Sequence, residues 1–306
     1  MSTKTKIDFM GKRKIAGALS IALVLASIAS LLFSGLKLGL DFTGGTLVEV
    51  GYSAPVELES IRTQLKDGGY ENVVVQNFGS ETEVLVRLQQ EYKPELGDEI
   101  LATLQKDSNV TIELRRSEYV GAQVGDELRE QGGLGMLLAL AIVMLYVAFR
   151  FQIKFSVGAV LALAHDVLIT LGVFSILGLN FDLTVLAALL AVIGYSLNDT
   201  IVVSDRIREN FRKIRKETPL SVINISLNET LSRTIITSLT TLLVLVTLFI
   251  LGGELIHGFS IALIIGVVVG TYSSIYVASN ILLALGINSE DLALPVKEGV
   301  EIDGMP

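Results

Sequence analysis

Two carboxylates and a guanidinium stand inside, or at the mouth of, apolar runs long enough to cross a bilayer. Asp166 lies in GAVLALAHDVLITLGV, Asp199 in LLAVIGYSLNDTIVVSD, and Arg233 opens the run that follows. An ionisable group at membrane depth costs several kcal/mol, so such groups are rare and tend to line the path of a proton, an ion or a substrate. Burial disfavours a carboxylate's charge, and a nearby guanidinium restores it. An arginine that approaches and withdraws would therefore move a proton on and off the acid, which is the least a proton-coupled device needs. Asp199 and Arg233 are expected at similar depth if their runs are neighbours. Tyr195 and Asn198 are expected on or beside the helical face of Asp199 and, with Ser196, could bond a carboxylate or hold water. His165 directly precedes Asp166. Adjacent residues on a helix point about 100° apart, so these two are expected to face different partners. Plainer readings stand beside these: a static Asp199–Arg233 pair pinning two helices, an Asp166 that bridges helices without titrating, and a His165 that only packs.

The elements that carry these groups are legible from composition. The 306 residues are 51% hydrophobic and 18% charged, with mean hydropathy +0.60, against about 25% charged in soluble domains. This is the profile of an integral membrane protein with a soluble part attached. Cysteine is absent, which excludes a disulfide frame, a thiolate metal site and a cysteine nucleophile. No metal-ligand cluster, phosphate-cradling loop or nucleophile elbow is evident.

About 20 apolar residues span a bilayer. The candidates are Ile15–Phe33, Leu134–Phe149, Phe155–Leu179, Leu183–Val203, Thr234–Leu251 and Phe259–Leu285. Basic residues gather before the first span (Lys4, Lys6, Lys12, Arg13, Lys14), at Arg150 and Lys154, and from Arg206 to Lys216; the other short breaks hold none. By the excess of positive charge on cytoplasmic loops, both termini are expected in the cytoplasm and residues 36–133 outside. That outer segment carries 18 Asp+Glu against 9 Lys+Arg, a net of −9 in a chain of net −8, which argues against nucleic acid as a partner. The first run continues past the weak cleavage-like Ser27-Ile28-Ala29 to Phe33, so it reads as an anchor rather than a removed leader. Gly266-x-x-x-Gly270, with Ser274 a turn on, reads as a helix-packing face.

The outer segment alternates as strand (46–50), helix (56–66), strands (72–78 and 82–88), helix (95–106) and strand (110–119), a β-α-β-β-α-β order that hosts many functions. Asp41, Gly44 and Gly45 mark a tight turn between the first span and the first strand, or a contact with a partner. The expected divisions are 1–35 (N-terminus and first helix), 36–133 (outer domain), 134–286 (helices two to six) and 287–306 (C-terminal tail).

Six motifs carry a resemblance: LDFTGG (Leu40–Gly45), QNFGS (Gln76–Ser80), LALAHD (Leu161–Asp166), VIGYSLNDTIVVSDRIRENFRK (Val192–Lys213), LSRTIITS (Leu231–Ser238) and GTYSSIYVAS (Gly270–Ser279). Over nearly its whole length the chain resembles the SecF branch of the bacterial SecD–SecF protein-export family, within the resistance–nodulation–division superfamily. The resemblance implies a multi-pass α-helical membrane protein: six transmembrane helices, with one periplasmic α+β ferredoxin-like (βαββαβ) domain between the first two. It implies the bacterial inner membrane, no cofactor and no enzymatic activity. It implies a SecD partner, association with the SecYEG channel, and YajC and YidC as further associates. It implies use of a transmembrane proton gradient, sodium being the alternative ion, to draw preproteins outward after the ATP-driven stage. By motif, Asp199 and Arg233 would be the proton-coupling pair, with Asp166 joining them and Tyr195, Asn198 and His165 in support. A further family carboxylate would lie on SecD.

Two other classes remain open. The chain could be a structural subunit that stabilises SecD without itself carrying protons. An intramembrane aspartyl protease would need its two carboxyl groups within about 5 Å, and neither AHD nor SLND is the glycine-aspartate context of such enzymes.

Overall fold

Long apolar runs in lipid have to become helices, because only a helix bonds all its backbone groups within the segment. A computed structural model of the chain describes residues 7–288 apart from 71–72, 89–92, 107, 109, 151, 215 and 254–255. Lys4, Lys6, Asn72, Arg215 and the tail from 289 therefore lie outside the described residues. In chain order the elements are α1 (Arg13–Phe33), β1 (Lys37–Leu38), α2 (Leu40–Thr43), β2 (Gly45–Tyr52), α3 (Leu58–Asp67), β3 (Val74–Phe78), β4 (Ser80–Leu88), α4 (Leu96–Lys106), β5 (Ile112–Val120), α5 (Ala122–Arg150), α6 (Ile153–Leu177), β6 (Asn180–Phe181), α7 (Leu183–Lys213), α8 (Pro219–Leu251) and α9 (His257–Ala284).

Six of these helices, α1 and α5 to α9, are long and apolar enough to cross a membrane. Three outrun the apolar stretches that announce them. α5 starts at Ala122 rather than near Leu134, because the intervening Asp126–Gln131 is polar but rich in good helix formers. α7 continues to Lys213. α8 begins at Pro219, where proline suits the first helical position and Thr218 Oγ1 accepts from Ser221 N at 3.3 Å. α9 is the hub, packing on α1, α6, α7 and α8. A Cβ on Gly266 would overlap Val192 of α7, and one on Gly172 of α6 would overlap Ser27 of α1.

The soluble part is a four-stranded antiparallel sheet of order β3-β4-β2-β5. Alternating Val48 and Val50, and Val84, Val86 and Leu88, point one way onto Ile61 and Leu65 of α3 and Ile100 and Leu104 of α4. The second face carries Leu47 and Leu85 against Leu40, and it looks toward the helix bundle across a cavity of about 490 Å³ lined by Asp41, Arg87, Arg116 and Asp182.

The domain is bolted to the N-terminal end of α7. β1 pairs in parallel with β6, Lys37 opposite Asn180 and Leu38 opposite Phe181, and Gly39 N donates to Phe181 O at 2.7 Å. Two carboxylates take the orphan amides of α7: Asp41 Oδ2 accepts from Leu183 N at 3.0 Å, and Asp182 Oδ1 from Val185 N at 2.9 Å. Arg87 of β4 reaches across, Nη1 donating to Leu38 O at 3.0 Å. Burial pulls this guanidinium below its ordinary range, and the charges of Asp41 and Asp182 push it back up.

Gly44, at φ 66° and ψ 177°, occupies a region essentially reserved for glycine. Its N–H closes the turn on Leu40 O at 2.9 Å, and a Cβ on Gly125 of α5 would stand 3.0 Å from that same nitrogen. Gly44→Ala is expected to lower stability by about 1–3 kcal/mol. Gly133→Ala, in mid-helix with nothing within 4 Å of the added Cβ, is expected to raise it by up to about 1 kcal/mol. Thermal unfolding of the detergent-extracted chain checks both, and shifts of the same sign would contradict this account of the turn.

Candidate functional site

The seam between α7, α8 and α9 holds Asp199. The carboxylate is 5% exposed. Thr234 Oγ1 of α8 donates to Oδ1 at 2.9 Å, and Ser274 Oγ of α9 donates to Oδ2 at 3.0 Å. Ser274 Oγ also lies 2.9 Å from Thr271 O. A serine hydroxyl carries one proton. When that proton goes to Thr271 O, a protonated Asp199 can donate to Ser274 instead, so the same cradle serves both forms of the acid.

The static Asp199–Arg233 pair, the plainer of the two readings, is not formed among the described residues. α8 does run beside α7, and Thr234, the residue after Arg233, reaches Asp199, so the two expected partners share a depth. Arg233 itself is exposed. It lies within electrostatic reach of Asp199, but among the described residues it makes no ion pair with it. Thr234 puts its hydroxyl on Asp199, while the adjacent Arg233, its Cβ about 100° away, is turned to the cavity between α7 and α8.

Asp166 of α6 is fully buried, at 0% exposure. Its Oδ2 accepts from Ser196 Oγ of α7 at 2.6 Å and from Ser273 Oγ of α9 at 2.8 Å. Its Oδ1 lies 2.9 Å from His165 Nδ1. That contact corrects the expectation that adjacent residues would face apart: the 100° separates the Cβ atoms, and both side chains swing back toward each other beyond them. His165 is 6% exposed, stacks on Tyr272 with ring centroids 6.3 Å apart, and leaves Nε2 with no hydrogen-bond partner. The imidazole of His165 is thus a direct hydrogen-bond partner of Asp166, whereas Asp199 has only hydroxyl partners among the described residues.

The remaining expected residues divide. Tyr195 faces the seam, its OH donating to Ser238 Oγ at 3.3 Å. Asn198 is exposed and is not among the groups that bond Asp199. Asp41 caps α7 and Gly44 and Gly45 form the turn, all at the sheet end of the bundle. The serines and threonine that hold the two acids (Thr234, Ser273 and Ser274) were not read as ligands from the sequence. Their signal was a hydroxyl at the depth of an acid on a neighbouring run. Gly270 makes room for them: a Cβ there would sit 3.0 Å from Ser196 Cβ and 3.5 Å from Asp166 Oδ2. The two acids bond different serines and not each other, so the arrangement is not a carboxylate dyad. Among the described residues no group of three His, Asp or Glu side chains could hold a metal.

At the end of the bundle away from the sheet, a cavity of about 270 Å³ opens among Arg233, Thr230, Val202, Asp205, Arg206 and Glu229. Thr230 and Val202 lie one helical turn from Thr234 and Asp199. Arg206 closes the rim with Glu209 at 2.8 Å and Glu229 at 3.6 Å.

Comparison with known proteins agrees with this layout. The family model described as protein export membrane protein SecD/SecF, C-terminal, matches residues 100–288, and the SecD/SecF GG motif matches residues 29–56. The protein translocase subunit SecF of Vibrio alginolyticus is 53% identical over 311 aligned residues, covering 100% of this chain and 99% of the relative. That of Pseudomonas aeruginosa is also 53% identical, covering 94% of each. The crystal structure of SecDF, a translocon-associated membrane protein from Thermus thermophilus, superposes with a TM-score of 0.86 at 38% identity, covering 93% of this chain. The chain spans 39% of that SecDF chain. A second SecDF crystal structure, in a super-membrane-facing form, scores 0.69 at 39% identity and 92% coverage.

Thr234→Val removes the donor to Asp199 Oδ1 and is expected to cost about 1–3 kcal/mol, the penalty of a buried polar atom left unpaired. Arg233→Gln is expected to change stability by no more than about 0.5 kcal/mol, as for surface substitutions. Thermal unfolding of both variants in detergent checks this, and a larger loss from Arg233→Gln would reinstate the ion pair.

Proposed function

The chain belongs to the SecD/SecF family of protein-export membrane proteins, and from that premise we propose that it is the translocase subunit through which a transmembrane proton gradient acts on preproteins leaving the bacterial inner membrane. In this reading the sheet domain is the periplasmic, ferredoxin-like part, and both termini and the end with the 270 Å³ cavity face the cytoplasm. SecD is the direct partner, and the assembly works beside the SecYEG channel with YajC and YidC. The chain transports rather than catalyses and needs no cofactor.

The observation that carries the reading is Asp199: a carboxylate at mid-bundle, 5% exposed and held only by hydroxyls that suit either protonation state. A permanently ionised acid would be better served by a fixed cation. A permanently neutral one would not need two donors. The cavity brings cytoplasmic water to within a turn of it. Arg233, exposed on an apolar helix, would be costly in lipid and is suited to a carboxylate on SecD. It could then shift between that acid and Asp199, changing the ionisation of Asp199 as it moves.

Asp166 supports the alternative role of a structural subunit. Fully buried and bonded by His165, Ser196 and Ser273, it ties α6 to α7 and α9. We therefore assign the coupling to Asp199 with Arg233, and to Asp166 the task of holding the helices that frame them.

Inverted vesicles with an imposed pH or sodium gradient test the proposal. With Asp199→Asn, gradient-driven export is expected to fall to the level seen without a gradient, while the chain still folds and copurifies with SecD. Arg233→Met is expected to behave the same way. Full gradient-driven export by Asp199→Asn would refute the coupling role, and loss of SecD binding by Arg233→Met would favour a static one.

A further inference from the structure

The seam that holds Asp199 carries a second polar layer, one turn nearer the sheet. Tyr195 OH donates to Ser238 Oγ at 3.3 Å, Ser238 Oγ and Thr271 Oγ1 share a bond of 2.7 Å, and Thr271 Oγ1 donates to Val267 O at 2.7 Å. These bonds fix one order, since each hydroxyl has a single proton to give: Tyr195 to Ser238, Ser238 to Thr271, Thr271 to the backbone.

The layer is built on the same three helices as the acid. Tyr195 precedes Asp199 by four residues on α7, Ser238 follows Thr234 by four on α8, and Thr271 precedes Ser274 by three on α9. The two layers therefore stand one turn, about 5.4 Å, apart along the helices. Thr230, Thr240 and Thr247 of α8 bond only their own helix. Tyr195 and Ser238 bond across helices instead.

The seam has an order from one end to the other. The 270 Å³ cavity comes first, then the acid layer, then the hydroxyl layer. Beyond that, α7 and α9 close on each other so tightly that any Cβ on Gly266 would overlap Val192, itself 1% exposed. The cavity thus lies at the end away from the sheet and the tight α7–α9 contact at the other.

We propose that Tyr195, Ser238 and Thr271 are the outer half of the proton path that Asp199 serves, and that Val192 against Gly266 is the gate that keeps this half shut. The inference rests on the reading of Asp199 as the coupling acid. A proton admitted past the gate is accepted by one hydroxyl, which passes on its own proton. Each hydroxyl that has passed its proton on then turns back to the bond it started from, so the layer gains no proton and the Asp199 carboxylate gains one. The acid later releases it to the cavity.

The test uses the full chain with SecD in inverted vesicles. Thr271→Val is expected to cut gradient-driven export about ten-fold, the effect of about 1.4 kcal/mol on one proton-transfer step, and to change its solvent deuterium isotope effect. Thr271→Ser is expected to restore both, which a packing role would not require. Val192→Ala is expected to let protons leak under an imposed gradient with no preprotein present. Copurification with SecD confirms that each variant folds, and Ser238→Ala replaces Thr271→Val if that variant fails. Wild-type gradient-driven export by the hydroxyl variants would overturn the path, and an absent leak in Val192→Ala would overturn the gate. Asp199→Asn in the same vesicles separates the two readings. If it too keeps gradient-driven export, the coupling acid itself is misassigned. If it alone loses export, only the outer path is.

Discussion

Hydrocarbon offers no hydrogen bonds, so an acid at mid-bundle must find every partner on the helices around it. That constraint organises the membrane part of this chain. Asp166 and Asp199 sit on different helices, and α9 answers both with adjacent residues, Ser273 for the first and Ser274 for the second. Adjacent residues point about 100° apart, so the two bonds together fix the rotation of α9 about its axis. A turn of α9 in either direction breaks at least one of them. Small residues are the other half of the arrangement. Only glycine at 270 and 266 lets α9 approach α7 closely enough for short serine side chains to reach the acids.

The same constraint links the seam to the sheet domain. α7 is one helix from Leu183 to Lys213 with no proline in it, and Asp199 lies roughly 24 Å along it at 1.5 Å per residue. Its first turn is held by Asp41, which belongs to the LDFTGG turn, and by its own Asp182. Arg87 ties the sheet to the strand that pairs beside that turn. A shift of α7 at the depth of the acid therefore reaches the sheet through backbone and capping bonds rather than through a flexible loop.

Sequence pattern read the repetitive features well and the reciprocal ones poorly. Six apolar runs and the strand–helix alternation of the outer segment were visible, because each is a property of one stretch of chain. The depth match of Asp199 and the 231–238 segment was visible too, from run boundaries alone. The choice of partner was not. Arg233 and Thr234 are neighbours in sequence, and only the rotation of α8 decides which one enters the seam. Likewise the angle between His165 and Asp166 was right at Cβ and wrong at the polar atoms, because rotamers lie beyond the periodicity. The start of α5 was missed because helix propensity, not hydropathy, carries Asp126–Gln131. Ser274 was read as a packing residue, and it is one; its hydroxyl became legible only once α9 was placed against Asp199.

The proposed coupling asks for an acid that is not clamped by a standing ion pair. A buried Asp–Arg pair in good geometry costs about 3–5 kcal/mol to break by removing one partner, so an arginine clamped on Asp199 would resist the withdrawal that a proton cycle requires. Here hydroxyls do the holding, each worth about 1 kcal/mol net. Arg233 instead stands exposed at the edge of the 270 Å³ cavity between α7 and α8, with exposed Ile236 and Thr240 one and two turns further along its own side of α8. Under the proposed function, hydroxyls hold the acid and the guanidinium stands apart from it at the cavity, free of any standing bond to Asp199.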